Sequence, residues 1–173
     1  MSAFDTAGDR ILEPLRNNKV FIALFGFAST VGDFSIVWHV TGILYAIGSM
    51  HRLHQAIALS VALGAESIIV NQGVKRIFRR ERPTVSGDDR FDVRTPSTSS
   101  FPSGHASSAT FAAIILIWMT GFPLAILWII MAGVVALSRV VVRIHHLSDI
   151  VGGVITGTIL GAIAVPIISS IIG

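Results

Sequence analysis

"SRVVVRIHHLSDI", residues 138 to 150, decides how many helices the second half of the chain contains. An apolar run ends before it near Ala136 and another opens at Ile150, so two arginines, two histidines and an aspartate stand between apolar neighbours. On one continuous helix Arg139 and His145 would lie about 240° apart, because six residues at about 100° each do not realign. Arg139, Arg143 and His146 would share a face instead. A break inside the stretch would gather its polar residues at a common end.

Composition sets the surroundings. The chain has 173 residues, of which 52% are hydrophobic and 13% charged, and its mean hydropathy is +0.74. Soluble domains carry about 25% charged residues, so this chain is built for lipid. With no cysteine, disulfides and thiolate metal sites are excluded. The opening "MSAFDTAGDRILEPLRNNKV" does not read as a secretory signal, since acidic residues precede its first apolar run. A pI near 10.2 invites a nucleic-acid reading. The basic residues lie between apolar segments, however, and no aromatic-basic binding module is visible, so no nucleic-acid partner is expected.

A bilayer core of about 30 Å needs about 20 apolar residues per helix. Five stretches qualify: 33–49, 53–76, 104–120, 123–142 and 148–172. Ahead of them, residues 1–30 read as an interfacial segment, with Ile11, Leu12 and Leu15 toward lipid and Asp9, Arg10, Glu13 and Arg16 toward water. If "NKVFIALFGFAST" also spans, the count becomes six. The connections at 49–53 and 120–123 are short enough for tight helical hairpins. The expected fold is all-α: one polytopic membrane helix bundle covering residues 1–173, with five to six transmembrane helices, an N-terminal interfacial amphipathic helix, and a polar loop at 77–103.

Twelve of the 13 lysines and arginines fall at the end of the bundle that holds this loop, leaving Arg52 at the other. Three polar segments meet there. They are Lys75, Arg82 and Pro83 in a K-x6-R-P pattern, the tetrapeptide "PSGH" at 102–105, and Ser138, Arg139, His145 and Asp149 in S-R-x5-H-x3-D. Together, in this order, they resemble the phosphatidic acid phosphatase type 2 (PAP2) superfamily. The match runs from residue 75 to 149.

The resemblance implies roles. His145 attacks phosphorus to form a phosphohistidine, Asp149 orients it, and His105 protonates the departing oxygen and then activates water. Lys75, Arg82 and Arg139 clamp the phosphoryl oxygens, a charge clamp that replaces a metal, and the sequence offers no Asp-rich metal cluster. Ser103 can cap a helix opening at Gly104, whose N-terminal N–H groups suit an anion. Neither metal nor cofactor is expected. These roles require the helix carrying Arg139 to end before His145 and the next to start near Leu147 or Ser148, with Asp149 in a first turn. The 77–103 loop would then lie over the active site.

Other polar residues have plainer readings. Arg76, Arg79, Arg80 and Arg143 read as headgroup anchors or a solvated face. His51 and His54 read as interfacial, and His146 as structural. Glu66, about 13 Å along its helix from Lys75 and about 180° out of phase with it, is expected to hydrogen-bond His39 or a neighbouring helix.

The implied activity is hydrolysis of a lipid phosphate: a polyprenyl diphosphate or polyprenyl-phosphate derivative, phosphatidylglycerophosphate or phosphatidate. A lipid-binding or transport protein and a vanadium-dependent haloperoxidase are the alternatives. Partners are the lipid substrate and membrane lipids. Localisation in a bacterial plasma membrane is expected, and the positive-inside rule turns the basic end toward the cytoplasm.

Overall fold

In the computed structural model, residues 2–84, 91 and 96–172 are described. Seven helices follow one another: α1 (Ala3–Leu12), α2 (Lys19–Val31), α3 (Ile36–Ala46), α4 (Met50–Ile77), α5 (Gly104–Thr120), α6 (Ala125–Val141) and α7 (Leu147–Ile172). No strand occurs among the described residues. Of the expected 77–103 loop, residues 85–90 and 92–95, with Arg90 and Arg94, lie outside the described set.

Polar caps start the helices where sequence chemistry asks for them. Asn18 accepts the Val20 and Phe21 N–H groups at 2.9 and 3.1 Å, and Ser103 accepts from Ala106 N–H at 3.3 Å. The central helix is α5, buried on most sides, with Phe111, Ile115 and Leu116 in a core shared with Trp38, Leu59, Leu63, Trp128 and Val135. The outer faces stay apolar: Val20, Ile43, Val61, Ile130 and Ile159 are exposed. Such a surface suits hydrocarbon rather than water.

By length and composition α4 and α7 can each cross a membrane. Residues 19–46 form a bent pair, α2 and a segment from Asp33 to Ala46 meeting at 64°, that passes the same test only together. Helices α5 and α6 are shorter apolar rods of 17 residues. The expected first span at 33–49 is therefore not a helix that starts at residue 33. A 3-10 turn at Asp33–Ser35 comes first, with Phe34 and Ser35 at positive φ. Residues 1–30 divide into α1 and the apolar α2, which packs on α6.

The break falls where the expected roles of Arg139 and His145 require it. Helix α6 ends at Val141 and α7 starts at Leu147. Its closure is a Schellman motif: Ile144 N–H donates to the Arg139 carbonyl at 3.0 Å and Arg143 N–H to the Val140 carbonyl at 3.1 Å. Arg143 occupies the left-handed position, φ 56, that glycine usually takes. A buried side chain completes the end, for Arg16 donates from Nε to the Val141 carbonyl at 3.0 Å and from Nη2 to the Val140 carbonyl at 2.8 Å. Arg16 was expected to face water. It is fully buried, because the orphan carbonyls of α6 and the carboxylates of Asp9 and Glu13 satisfy it together.

Small residues bring α7 against α5. A Cβ at Gly153 would come 2.5 Å from the Ser103 carbonyl oxygen, and one at Gly157 would overlap that of Ser107. This close approach lets Ser103 N–H donate to the Asp149 carbonyl at 3.0 Å. The PSGH helix start and the start of α7 thus become one rigid corner.

Candidate active site

His145 sits in the six-bond turn between α6 and α7 and is only 2% exposed. Its Nδ1 lies 3.4 Å from Asp149 Oδ2 and 3.3 Å from Ser100 Oγ, and that hydroxyl donates to Asp149 Oδ2 at 2.5 Å. Its Nε2 lies 3.0 Å from Arg82 Nη1. A guanidinium can only donate, so Nε2 must present its lone pair and Nδ1 must carry the proton. Burial pushes the imidazole well below its ordinary pKa, against the hydrogen bond to Asp149 and with the help of the Arg82 and Arg139 charges. What results is a neutral ring with a free electron pair aimed at a cation.

Arg82 is held from behind. Its Nε and Nη2 donate to the Thr98 carbonyl at 3.2 and 3.1 Å, Nη2 also to the Ser99 carbonyl at 3.2 Å, and Nη1 to the Ile144 carbonyl at 3.1 Å. Burial depresses its pKa while the Asp149 charge raises it. Arg139 is 1% exposed and donates from Nη1 to Ser29 Oγ, yet its Nε and Nη2 have no hydrogen-bond partner among the described residues. Unsatisfied donors on a buried guanidinium mark a site for an anion. Lys75, 8% exposed, stands within electrostatic range of both arginines. Its Nζ would be 3.4 Å from a Cβ at Gly104, so the ammonium lies directly over the start of α5. A depression of about 830 Å³, lined by Lys75, Arg79, Arg82, Pro96, Ser97 and Thr98, opens beside it.

All eight expected site residues therefore lie at one end of the bundle, His105 by a different contact. Its Nε2 is 2.9 Å from Asp33 Oδ1, and that oxygen is 4.0 Å from Arg139 Nη1. Sequence reasoning passed over Asp33 and Ser100 and misread Arg80. Arg80, expected as a headgroup anchor, instead ion-pairs Asp149. Arg143, expected likewise, pairs with Glu13 at 2.5 Å. Glu66 accepts from Ser107 on α5, while His39 pairs with Ser60 at 3.0 Å.

A sequence profile of the PAP2 superfamily matches residues 55–171. The chain belongs to the PAP2 superfamily. It is 37% identical over 136 residues to the decaprenylphosphoryl-5-phosphoribose phosphatase of Mycobacterium tuberculosis, covering 78% of this chain and 73% of that one. It is 30% identical over 132 residues to a putative undecaprenyl-diphosphatase of Escherichia coli, covering 76% and 65%. The fold matches the crystal structure of a transmembrane PAP2-type phosphatidylglycerolphosphate phosphatase from Bacillus subtilis with a TM-score of 0.62. That match covers 99% of this chain and 89% of the other at 21% identity. The PAP2 chain is thus a multi-pass helical membrane protein.

Proposed function

We propose that this lipid phosphatase removes the terminal phosphate from a polyprenyl-phosphate derivative, through a phosphohistidine at His145 and without a metal. The observation that carries the reading is the meeting of His145 with two arginines. A neutral imidazole presents Nε2 3.0 Å from Arg82 Nη1, and the buried Arg139, within electrostatic range, keeps two donors for an anion. In the proposed reaction, phosphate oxygens take the donors of Arg139, Arg82 and Lys75 and the N–H groups at Gly104. His145 Nε2 then forms the P–N bond as the P–O bond to the lipid breaks, and the electrons of that bond leave with the oxygen. His105 supplies the proton to that oxygen, then takes one from water as water attacks the phosphohistidine. Asp149 holds the Nδ1–H tautomer and balances the positive charge on His145.

The substrate class follows the relatives whose names specify polyprenyl-linked phosphates, aligned over three quarters of this chain. The apolar helix faces would hold the prenyl chain while the phosphate stays at the polar end. We place the protein in a bacterial plasma membrane with five to six spans and the site toward the cytoplasm, over which the 77–103 loop would lie. The test is a panel assay on purified protein in EDTA. It compares a polyprenyl-phosphate sugar phosphate, undecaprenyl diphosphate, phosphatidylglycerophosphate and phosphatidate. The first is expected to have the highest kcat/KM, with inhibition by vanadate and at least about 10⁴-fold loss in His145→Ala. Full activity in that variant, or dependence on added metal, overturns the mechanism.

A further inference from the structure

We infer that Asp33 is a positioning residue for His105, the carboxylate partner that fixes its ring and stabilises its imidazolium form during proton transfer. The inference rests on the reading of His105 as general acid and base. Its own support is geometric. Asp33 Oδ1 lies 2.9 Å from His105 Nε2, an ion-pair distance without hydrogen-bond alignment, the two side chains being 23% and 15% exposed. The carboxylate arrives from the 3-10 turn between α2 and α3, where the chain bends by 64°.

That turn is strained. Phe34 and Ser35 both adopt positive φ, 52 and 59, a conformation that costs a non-glycine residue about 1–3 kcal/mol. The residue before Asp33 fits only as glycine: a Cβ at Gly32 would come 2.8 Å from His105 Cδ2 and 2.9 Å from Val135 Cγ1. Gly32 therefore lets the turn press against the imidazole edge. Strain of this kind gathers where a function holds it. The arrangement also mirrors the other histidine, so that each imidazole is backed by a carboxylate, His145 by Asp149 and His105 by Asp33. Arg139 Nη1 lies 4.0 Å from the same Asp33 oxygen, so the carboxylate stands between a buried cation and the imidazole.

A lipid alkoxide is a poor leaving group and needs its proton as the P–O bond breaks, whereas a nitrophenolate leaves without one. The test compares kcat/KM of the full-length protein in detergent for dodecyl phosphate and p-nitrophenyl phosphate. Asp33→Asn is expected to lose about 10- to 100-fold on dodecyl phosphate and less than about 3-fold on p-nitrophenyl phosphate. Vanadate inhibition should stay within about 3-fold, since all three cations of the phosphate clamp remain. Asp33→Glu, which keeps the charge, should recover part of the alkyl activity, and it gives the same comparison if the Asn variant does not fold. Adding Asp33→Asn to His105→Asn should cost nothing further. Equal losses on both substrates would make Asp33 structural only. Tighter vanadate binding with raised kcat would show that it competes with phosphate, and either result overturns the inference. A His105→Asn variant without the alkyl-selective loss removes His105 from the mechanism and Asp33 with it. A selective His105→Asn beside an unselective Asp33→Asn removes Asp33 alone.

Discussion

Arg80 Nη1 lies 2.5 Å from Asp149 Oδ1, and the other arm of the same guanidinium lies 2.6 Å from Asp5 Oδ2. The N-terminal helix is thereby tied to the carboxylate that stands beside His145. Asp5 also accepts from Ser148 N–H at 2.9 Å and Ser148 Oγ at 2.7 Å, capping the first turn of α7 from another helix. Burial alone would raise the Asp5 carboxyl, but the hydrogen bonds from Ser148, Ser2 and Arg80 hold it well below the usual carboxylate range.

Arg80→Gln should lower kcat by about 10-fold without abolishing turnover, because Asp149 keeps Ser100 Oγ at 2.5 Å and His146 N–H at 2.8 Å. The variant should also lose about 2 kcal/mol of stability. Its loss leaves two carboxylates short of a partner, and partial exposure of the guanidinium moderates the effect. Steady-state kinetics and thermal unfolding in detergent measure both. A variant that unfolds normally and keeps wild-type kcat would separate Arg80 from Asp149 function.

The motifs made much of the site legible, and tertiary contacts hid the rest. Ser103, Gly104, His105, Arg139 and Asp149 stand where spacing put them because each is fixed by a local device, a cap or a helix end. The break before His145 was legible as a functional requirement but not as a helix stop, since Arg143 takes the position where glycine would have signalled it. Asp5, Arg16, Asp33 and Arg80 were misread or passed over for one reason. Their partners lie 75, 125, 72 and 69 residues away (Arg80, Val141, His105 and Asp149), and a charged residue reads as solvated until its partner is seen. Of the two partners expected for Glu66, His39 or a neighbouring helix, the structure shows the second, because burial at that depth demands a partner, though the identity of Ser107 was out of reach. The 180° phase separating Glu66 from Lys75 assumed a regular helix, whereas a π-helical stretch at Ile69–Val74 intervenes.

Acid should weaken the fold through His145. Its folded pKa lies below the ordinary imidazole value of 6.5, so below that pH the unfolded chain binds a proton that the native state excludes. Stability is then full above about pH 6.5 and falls by up to about 1.4 kcal/mol per pH unit as pH drops. Asp5 acts in the same direction only lower, below its ordinary value of 3.8. Thermal unfolding of wild type and His145→Asn between pH 6.5 and 5 separates the terms. The variant should show the shallower dependence, and parallel curves would mean that His145 stays solvated.

Sidedness is accessible to a single reporter because the native chain has no cysteine. Ser97 is exposed and lines the depression beside Lys75. In intact cells, Ser97→Cys should resist a membrane-impermeant maleimide and react after permeabilisation, as the excess of basic residues at this end requires. Labelling in intact cells would put the site outside and favour recycling of a carrier lipid over a biosynthetic intermediate.

The α5–α7 contact sets how closely Ser103 and Gly104 approach Asp149. Gly157 has no room for a methyl group, which would overlap the Ser107 carbonyl oxygen, whereas a Cβ at Gly64 meets nothing within 4 Å. Gly157→Ala should cost about 1–3 kcal/mol, because backbone rather than a flexible side chain must move. The two helices would part near Ser107 and take Ser103 away from Asp149, lengthening their 3.0 Å hydrogen bond. Activity should therefore fall about 10-fold or more even where the protein remains folded, since small displacements of positioned groups weigh heavily on rate. Gly64→Ala should leave both properties unchanged. Were Gly157→Ala as stable and active as Gly64→Ala, the glycine contact would not be what holds the PSGH corner against Asp149.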